Sequence, residues 1–572
     1  MKELSIVSSE THLMEVPSGL DDEEDLAQFS LDEHEEDDER ELNAAPSSSE
    51  GGGGGGGGEG SSSDLVGESV VQFTTQQAYR HAEATKRELW SWISYDWANS
   101  VYSSVSIVLL IPLLLDTLAF EAGVNPEGGG PCLPANATAG QEQLCRVSIL
   151  GGSVDSTAFS LYMISISVGI QALLFISLGS LADYGALRKR LMIGFAIAGA
   201  VFAVLFVIPT AGTLWLAGLL TVLSNACFGV SIVFYNAFLP LLVEAHPDMR
   251  RLEASGVTAV EELSRRSQEV SNKLSTYGFV AGYISGTLLL LVCAGIIFAM
   301  GQGSTAAMKI GIALSGVWWG GFTLLPAFFL KERPGPPLPR GQYWFLVSWR
   351  QLFRSFLAIR RIPRTFLYLF SYFIFSDAYS TISSVAVLFG RREMHLDNTK
   401  LVIIAIVVPF SALFGNLLFL YVQRLLKVET KRMLIATLVL LALIPAYGLV
   451  GLVSDSFGLR TEAEMYALGV YYGLLLGPVQ SLSRVFFAEL IPPGQESEFF
   501  GLYEITDKGS SWIGPAAIAA ITDSSGEIRL GLVYLLVALV VSIPMLLFID
   551  AAKGKEDAIR LTKGPSSPSL EE

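Results

Sequence analysis

The sequence predicts an all-helical integral membrane protein whose twelve spans form two six-helix halves. Three observations predict it. Hydrophobic residues make up 51% of the chain and the mean hydropathy is +0.47. From about residue 90 to 550, apolar runs alternate with short polar connectors, and each run is near the roughly 20 residues that cross a bilayer as a helix. The runs also lack the period-two alternation of strands about 10 residues long, which disfavours a transmembrane barrel.

The spans fall near 90–118, 157–181, 190–210, 213–243, 275–300, 308–330, 364–389, 400–423, 431–453, 463–490, 498–521 and 529–549. A connector rich in proline, with Pro334, Pro336, Pro337 and Pro339, divides them six and six, and a surface helix is expected around 344–357. The expected organisation is an acidic tail (1–88), an N-terminal half (89–330), a linker (331–363), a C-terminal half (364–550) and a short final tail (551–572). Two faint internal matches support related halves. Asp96 with Ser103-Ser104-Val105 resembles Asp377 with Ser383-Ser384-Val385, and aligning Gly229 with Gly477 sets Asn236 opposite Arg484.

Lys and Arg set the orientation, because basic residues stay on the cytosolic side. Twenty lie in the even-numbered connectors (188–190, 250–273, 331–364 and 424–432) and seven in the odd-numbered ones, so both termini are expected in the cytosol. The long polar stretch before the first span, and that span's length, give no sign of a cleavable signal. The first luminal connector holds the sequon Asn136-Ala137-Thr138 between Cys132 and Cys145, so Asn136 is a candidate glycosylation site. The two cysteines are either a disulfide or free thiols; Cys227 and Cys293 read as packing residues.

The formal charge of -17 resides entirely in residues 1–64, which carry nineteen acids against Lys2 and Arg40. With its Ser and Gly runs this tail cannot bury a core and reads as a solvated tether or a sorting contact. The five histidines lie outside the apolar runs, so an intramembrane haem or His-based metal centre lacks ligands. No GxxxxGK[ST] loop and no nucleophile–base pair is evident, so neither ATP drive nor an enzyme is expected, nor a cofactor or a nucleic-acid partner. Membrane lipid and a small-molecule substrate are the expected partners.

Charge inside the spans is expensive and marks a substrate, ion or gating path. Gly179-Ser180-Leu181-Ala182-Asp183-Tyr184-Gly185, followed by Arg188, Lys189 and Arg190, joins spans two and three. There Asp183 can accept from an opposing helix N-terminus while Arg188 keeps it ionised, a latch between the halves. Asp96, Asn99 and Tyr102 open span one, where Trp90, Trp92 and Trp97 read as an interfacial aromatic belt. Asp377, deep in span seven, is the leading candidate for proton coupling or for binding a substrate ammonium, with a buried structural pair as the alternative. Spans ten and eleven hold Arg484, Glu504, Asp507 and Lys508; Glu504 and Lys508 are spaced i to i+4 and can pair. Arg suits a carboxylate and Asp or Glu an ammonium, so the bundle contains both halves of an amino-acid recognition pair, or else an interhelical gate. Gly278, Gly282 and Gly286 form a small-residue stripe that reads as close helix packing.

The Gly179 to Arg190 loop resembles the signature of the major facilitator superfamily. Within that superfamily the chain is similar to the autophagy-associated vacuole effluxers. The similarity rests on Tyr95-Asp96-Trp97-Ala98-Asn99-Ser100, Ala182-Asp183-Tyr184, Tyr235-Asn236-Ala237-Phe238-Leu239-Pro240, Ser376-Asp377, Gly477-Pro478-Val479-Gln480-Ser481-Leu482-Ser483-Arg484 and Glu498-Phe499-Phe500-Gly501-Leu502-Tyr503. The resemblance implies a vacuolar or lysosome-like membrane and export of neutral amino acids to the cytosol by alternating access. A transporter of a nucleoside or sugar, and a non-transporting nutrient receptor, are the alternatives.

Overall fold

The computed structural model describes residues 82–563 apart from 125–131, 133–145, 150–151, 257–259, 302–303, 338–347, 351–359, 395–397, 455 and 526. The acidic tail to residue 81, Asn136, Cys145 and most of the surface-helix region at 344–357 therefore lie outside the described residues. Cys132 is disulfide-bonded, whereas Cys227 and Cys293 are buried free thiols.

The N-terminal half is built from α1 (Lys86–Ala122), α2 (Ser156–Leu178), α3 (Leu187–Val204), α4 (Leu214–Glu244), α5 (Val260–Met300) and α6 (Thr305–Phe329). The C-terminal half follows with α7 (Pro363–Arg392), α8 (Asn398–Leu426), α9 (Thr430–Val450), α10 (Glu462–Glu489), a span in two pieces, α11 (Glu496–Ser510) and α12 (Ile513–Ser525), and α13 (Gly531–Phe548). This is the twelve-span arrangement of two six-helix halves. By length and hydropathy alone, nine stretches among the described residues qualify as membrane spans. The spans that fall short are α7, α10 and α11–α12, the ones loaded with Asp377, Arg484, Glu504, Asp507 and Lys508. α7 and α10 are long enough but too polar, whereas α11 and α12, 15 and 13 residues long, are each too short.

Several features depart from the expected segments. The first connector folds into a hairpin of β1 (Arg146–Ile149) and β2 (Gly152–Asp155). Residues Tyr102–Leu110 of α1 form a π-helical stretch, a geometry that recurs at functional positions. Helix α5 begins at Val260, not near 275, and its polar start is held by Arg265–Glu262 and Arg266–Glu269 pairs one turn apart. The final tail folds as α14 (Ala551–Lys563), tied by Asp557 to Arg364 at the start of α7.

The two internal matches occupy equivalent places. A methyl group built on Gly229 of α4 would lie 2.5 Å from Gln171 Oε1 of α2, and one on Gly477 of α10 would overlap Asn416 of α8. In each half the fourth span thus crosses the second at a glycine facing an amide. Likewise Asp96 of α1 lies against Gly278 of α5, while Asp377 of α7 lies against Gly514 of α12.

Candidate functional site: a polar layer and latch between the halves

The loop from Gly179 to Arg188 is shaped to meet the C-terminal half. Gly185 has φ +54°, a left-handed conformation that favours glycine, and its amide and carbonyl pair with Pro336 and Gly335 of the linker (both 3.0 Å). Gly179, without a side chain, lets the end of α2 approach Ser497 and Glu498. Asp183 then accepts from the backbone N–H groups of Ser497 (2.9 Å) and Glu498 (3.2 Å), the open donors at the start of α11. Arg188 Nη2 bonds Asp183 (2.6 Å) and Glu496 (3.0 Å), and its Nε donates to Ser497 Oγ (3.0 Å). Asp183 is thus a carboxylate at a helix N-terminus of the other half, neutralised by a buried guanidinium, the contact a latch between the halves would use.

One layer deeper, Arg484 of α10 plugs into a socket made wholly by the N-terminal half. Its guanidinium donates to Ser275 Oγ and carbonyl (both 3.1 Å) and to Asn236 Oδ1 (3.2 Å), and lies 3.5 Å from Asp96. It sits over the rings of Phe279 (4.4 Å) and Trp92 (5.3 Å), which favours a cation there. Asp96 also accepts from Tyr235 (2.7 Å), and Asn236 donates to Glu504 of α11 (3.2 Å). Asp96, Asn236, Arg484 and Glu504 are thereby one chain across the interface. The sequence did not single out Ser275 or Phe279, and it named Trp92 only as a belt residue and Tyr235 only within a family motif. Trp92 belongs to this buried core, stacked on Tyr235 at 4.6 Å, and only Trp90 keeps the exposed position of a belt residue. Gly278 permits the layer, because any Cβ there would overlap the Asp96 carboxylate, so the glycine stripe is a packing device.

The remaining candidates separate. Lys508 pairs with Asp507 (3.5 Å), not with Glu504, and Asp507 accepts from Tyr372 (3.0 Å) and Tyr379 (3.2 Å) of α7. Asp377 stays inside the C-terminal half. It accepts from the Gly514 N–H (3.0 Å) at the start of α12 and from Tyr534 (2.7 Å) of α13, so it caps the break in span eleven. Tyr102 donates to Ser224 (2.6 Å) and stacks on Trp319 (5.0 Å) within the N-terminal half, and the buried Asn99 amide nitrogen has no partner. Neither is brought into the layer.

Among the described residues, the hydrogen bonds between the halves reach α10 from Glu489 to Gln480 and α11 from Glu496 to Glu504. At 1.5 Å per residue these lie within roughly 14 Å of the helix ends on the face that carries the basic connectors. Exposure rises beyond them. Arg484 is 3% exposed and Glu504 8%, whereas the side chains of Asp507 and Lys508 are 23% and 37% exposed. The molecule is closed at its basic face, with the Asp507–Lys508 pair on the far side of the closure.

Residues 84–559 match the family model described as vacuole effluxer Atg22 like. The chain is 33% identical over 557 residues to Autophagy-related protein 22-1 of Aspergillus niger, covering 84% of this chain and 91% of that one. It is 34% identical over 545 residues to the Emericella nidulans protein of the same name, covering 84% and 92%. Among solved structures, the human organic anion transporter MFSD10 superposes with TM-score 0.56 at 12% identity, covering 81% of this chain and 99% of that one. The proton:xylose symporter XylE superposes with TM-score 0.55 at 11% identity, covering 82% and 98%. The chain belongs to the Atg22-like vacuole effluxer family and is a multi-pass vacuolar membrane transporter with the major facilitator fold.

Proposed function

We propose that the protein exports neutral amino acids from the vacuolar lumen to the cytosol by alternating access, with its basic face and both termini cytosolic. The Asp507–Lys508 pair carries the substrate assignment. It is partly exposed at mid-depth, roughly 18 Å along α11 from Glu496, directly beyond the closed layer. An amino acid holds a carboxylate and an ammonium on one carbon. Lys508 supplies the cation for the first, and Asp507, flanked by Tyr372 and Tyr379, the anion for the second. A sugar or nucleoside has no use for such a pair, which ranks those cargoes second. Arg484 is consumed by four contacts to Ser275, Asn236 and Asp96 of the N-terminal half and acts as gate, not as carboxylate ligand.

In the cycle, cargo arriving from the lumen engages Lys508 and Asp507 while the latch and the Arg484 layer hold the cytosolic side shut. Competition of cargo charge with Glu504 and Lys508 loosens the Asn236–Glu504 link, the layer parts, and cargo leaves toward the cytosol. Proton coupling, if the cycle uses it, falls to Glu504, which faces the other half, while Asp377 holds the helix break. Tritiated leucine binding to purified protein tests the assignment. Leucine is expected to bind more tightly than leucinamide or 4-methylpentanoate. Lys508→Gln should erase the preference over leucinamide, a loss of roughly tenfold to hundredfold for one charge-assisted contact. Equal competition by xylose or uridine, or a carboxylate preference intact in Lys508→Gln, refutes it.

A further inference from the structure

Below the latch, on the basic face, an open cleft of about 2080 Å³ is lined by the polar start of α5, the turn between α8 and α9, the end of α10 and the final helix α14. It lies outside the closed layer and takes no part in the substrate path described above. Three properties define what it would hold. The first is an excess of positive charge, eight Lys and Arg in the lining against six Asp and Glu, with Glu489 the electrostatic neighbour of Lys555. Arg361, Arg424, Lys427 and Lys555 line it, and among the described residues none of the four makes a side-chain hydrogen bond or ion pair within 4 Å. The second is a set of open acceptors on its floor. Asn272 is 3% exposed, and its amide nitrogen donates to Thr430 (2.8 Å) while its oxygen is buried without a partner. Glu489 accepts from Gln268 through one oxygen (3.2 Å) and leaves the other buried and open. The third is an apolar rim at the membrane surface, where Leu547 is 60% and Phe548 81% exposed beside the cavity.

Free cations call for phosphates, and buried open acceptors call for hydroxyl donors. A phosphorylated polyol presents both at once, and the exposed apolar rim suits one carried on a lipid at the cytosolic leaflet. We propose that this cavity binds a phosphorylated polyol headgroup. Its phosphates meet Arg424, Lys427, Arg361 and Lys555, and its hydroxyls donate to Asn272 and Glu489. The floor joins the halves: Gln268 and Asn272 come from α5, and Thr430 and Glu489 from α9 and α10. A ligand seated there bridges both halves in the closed arrangement and favours the lumen-open state.

The test uses purified full-length protein in nanodiscs free of phosphoinositides. Dioctanoyl phosphatidylinositol bisphosphate, free inositol bisphosphate, inorganic phosphate and dioctanoyl phosphatidylserine are the probes, read by microscale thermophoresis. Saturable binding of the phosphoinositide is expected, with phosphatidylserine at least tenfold weaker. Binding of the free headgroup at equal affinity identifies a soluble ligand; weaker binding identifies the lipid. Arg424→Gln with Lys427→Gln should weaken binding at least tenfold. Arg251→Gln with Lys331→Gln removes the same charge from basic-face positions outside the cavity lining and should leave binding unchanged. Both doubles are checked for unchanged thermal unfolding without probe, and Asn272→Leu, which removes the open acceptor, serves as the second cavity variant. Absence of binding by both polyol probes, equal binding of phosphatidylserine, or equal weakening by the two charge doubles overturns the proposal.

Discussion

Replacing Asp183 by Asn should unlatch the basic face. The native carboxylate accepts from Arg188 at 2.6 Å, Ser497 N–H at 2.9 Å and Glu498 N–H at 3.2 Å. An amide keeps one acceptor oxygen and no charge, so Arg188 retains only Glu496 as a charged partner and the α11 N-terminus faces a neutral group. Charge-assisted hydrogen bonds are worth about 1.5–3 kcal/mol, and stranding one member of a buried charge pair costs about 3–5 kcal/mol. The Asp183–Arg188 pair lies within one half and persists when the halves part, so the closed state alone loses the charge assistance of the two bonds from the α11 N-terminus, about 3 kcal/mol together. The open-to-closed ratio then rises roughly 150-fold, since about 1.4 kcal/mol is a factor of ten. Ser481 reports this change. It is 2% exposed and bonded to Ser275 across the interface at 3.0 Å, beneath the latch. Ser481→Cys labelled by a membrane-impermeant maleimide from the side of the basic face should react slowly in the parent and much faster with Asp183→Asn. Asp248→Asn, which alters a connector pair outside the latch, should leave the rate unchanged. An unchanged rate in a well-folded Asp183→Asn protein refutes the reasoning.

Two further outcomes follow from the same geometry. Gly278→Ala forces a methyl group into the Asp96 carboxylate and within 3.1 Å of the Tyr235 hydroxyl, so it should lower thermal stability by about 1–3 kcal/mol and weaken the Arg484 layer, read by faster Ser481→Cys labelling. Glu504→Gln should abolish any pH-driven net transport while leaving leucine binding measurable, whereas Asp377→Asn should mainly lower the melting temperature; a pH response lost in Asp377→Asn and kept in Glu504→Gln would return coupling to span seven.

Much of this was legible in the sequence, because span length and loop charge are one-dimensional signals. The latch was legible for a similar reason: Gly179, Asp183, Gly185 and Arg188 sit in one loop, and only their partner, the start of α11, is distant. Arg484 was visible as a charge in an apolar run. Its socket was not, since Trp92, Tyr235 and Phe279 are aromatic residues that a membrane interface would also use. Asp377 depended on where the broken span places its second N-terminus, a matter of packing between α7, α12 and α13. The choice of Asp507 over Glu504 as the partner of Lys508 was likewise hidden, because Asn236, far away in sequence, takes Glu504. The extension of α5 and the final helix α14 were read as connector and tail because they are polar, yet they frame the cavity on the basic face.

Net transport by the purified protein tests the central claim most directly. Proteoliposomes of defined orientation, loaded with leucine on the side of the β1–β2 hairpin, should release it across the membrane faster than leucinamide or xylose, with Lys508→Gln near the protein-free rate. Release no faster than from protein-free liposomes, by protein that still binds leucine, would contradict transport and leave a nutrient receptor.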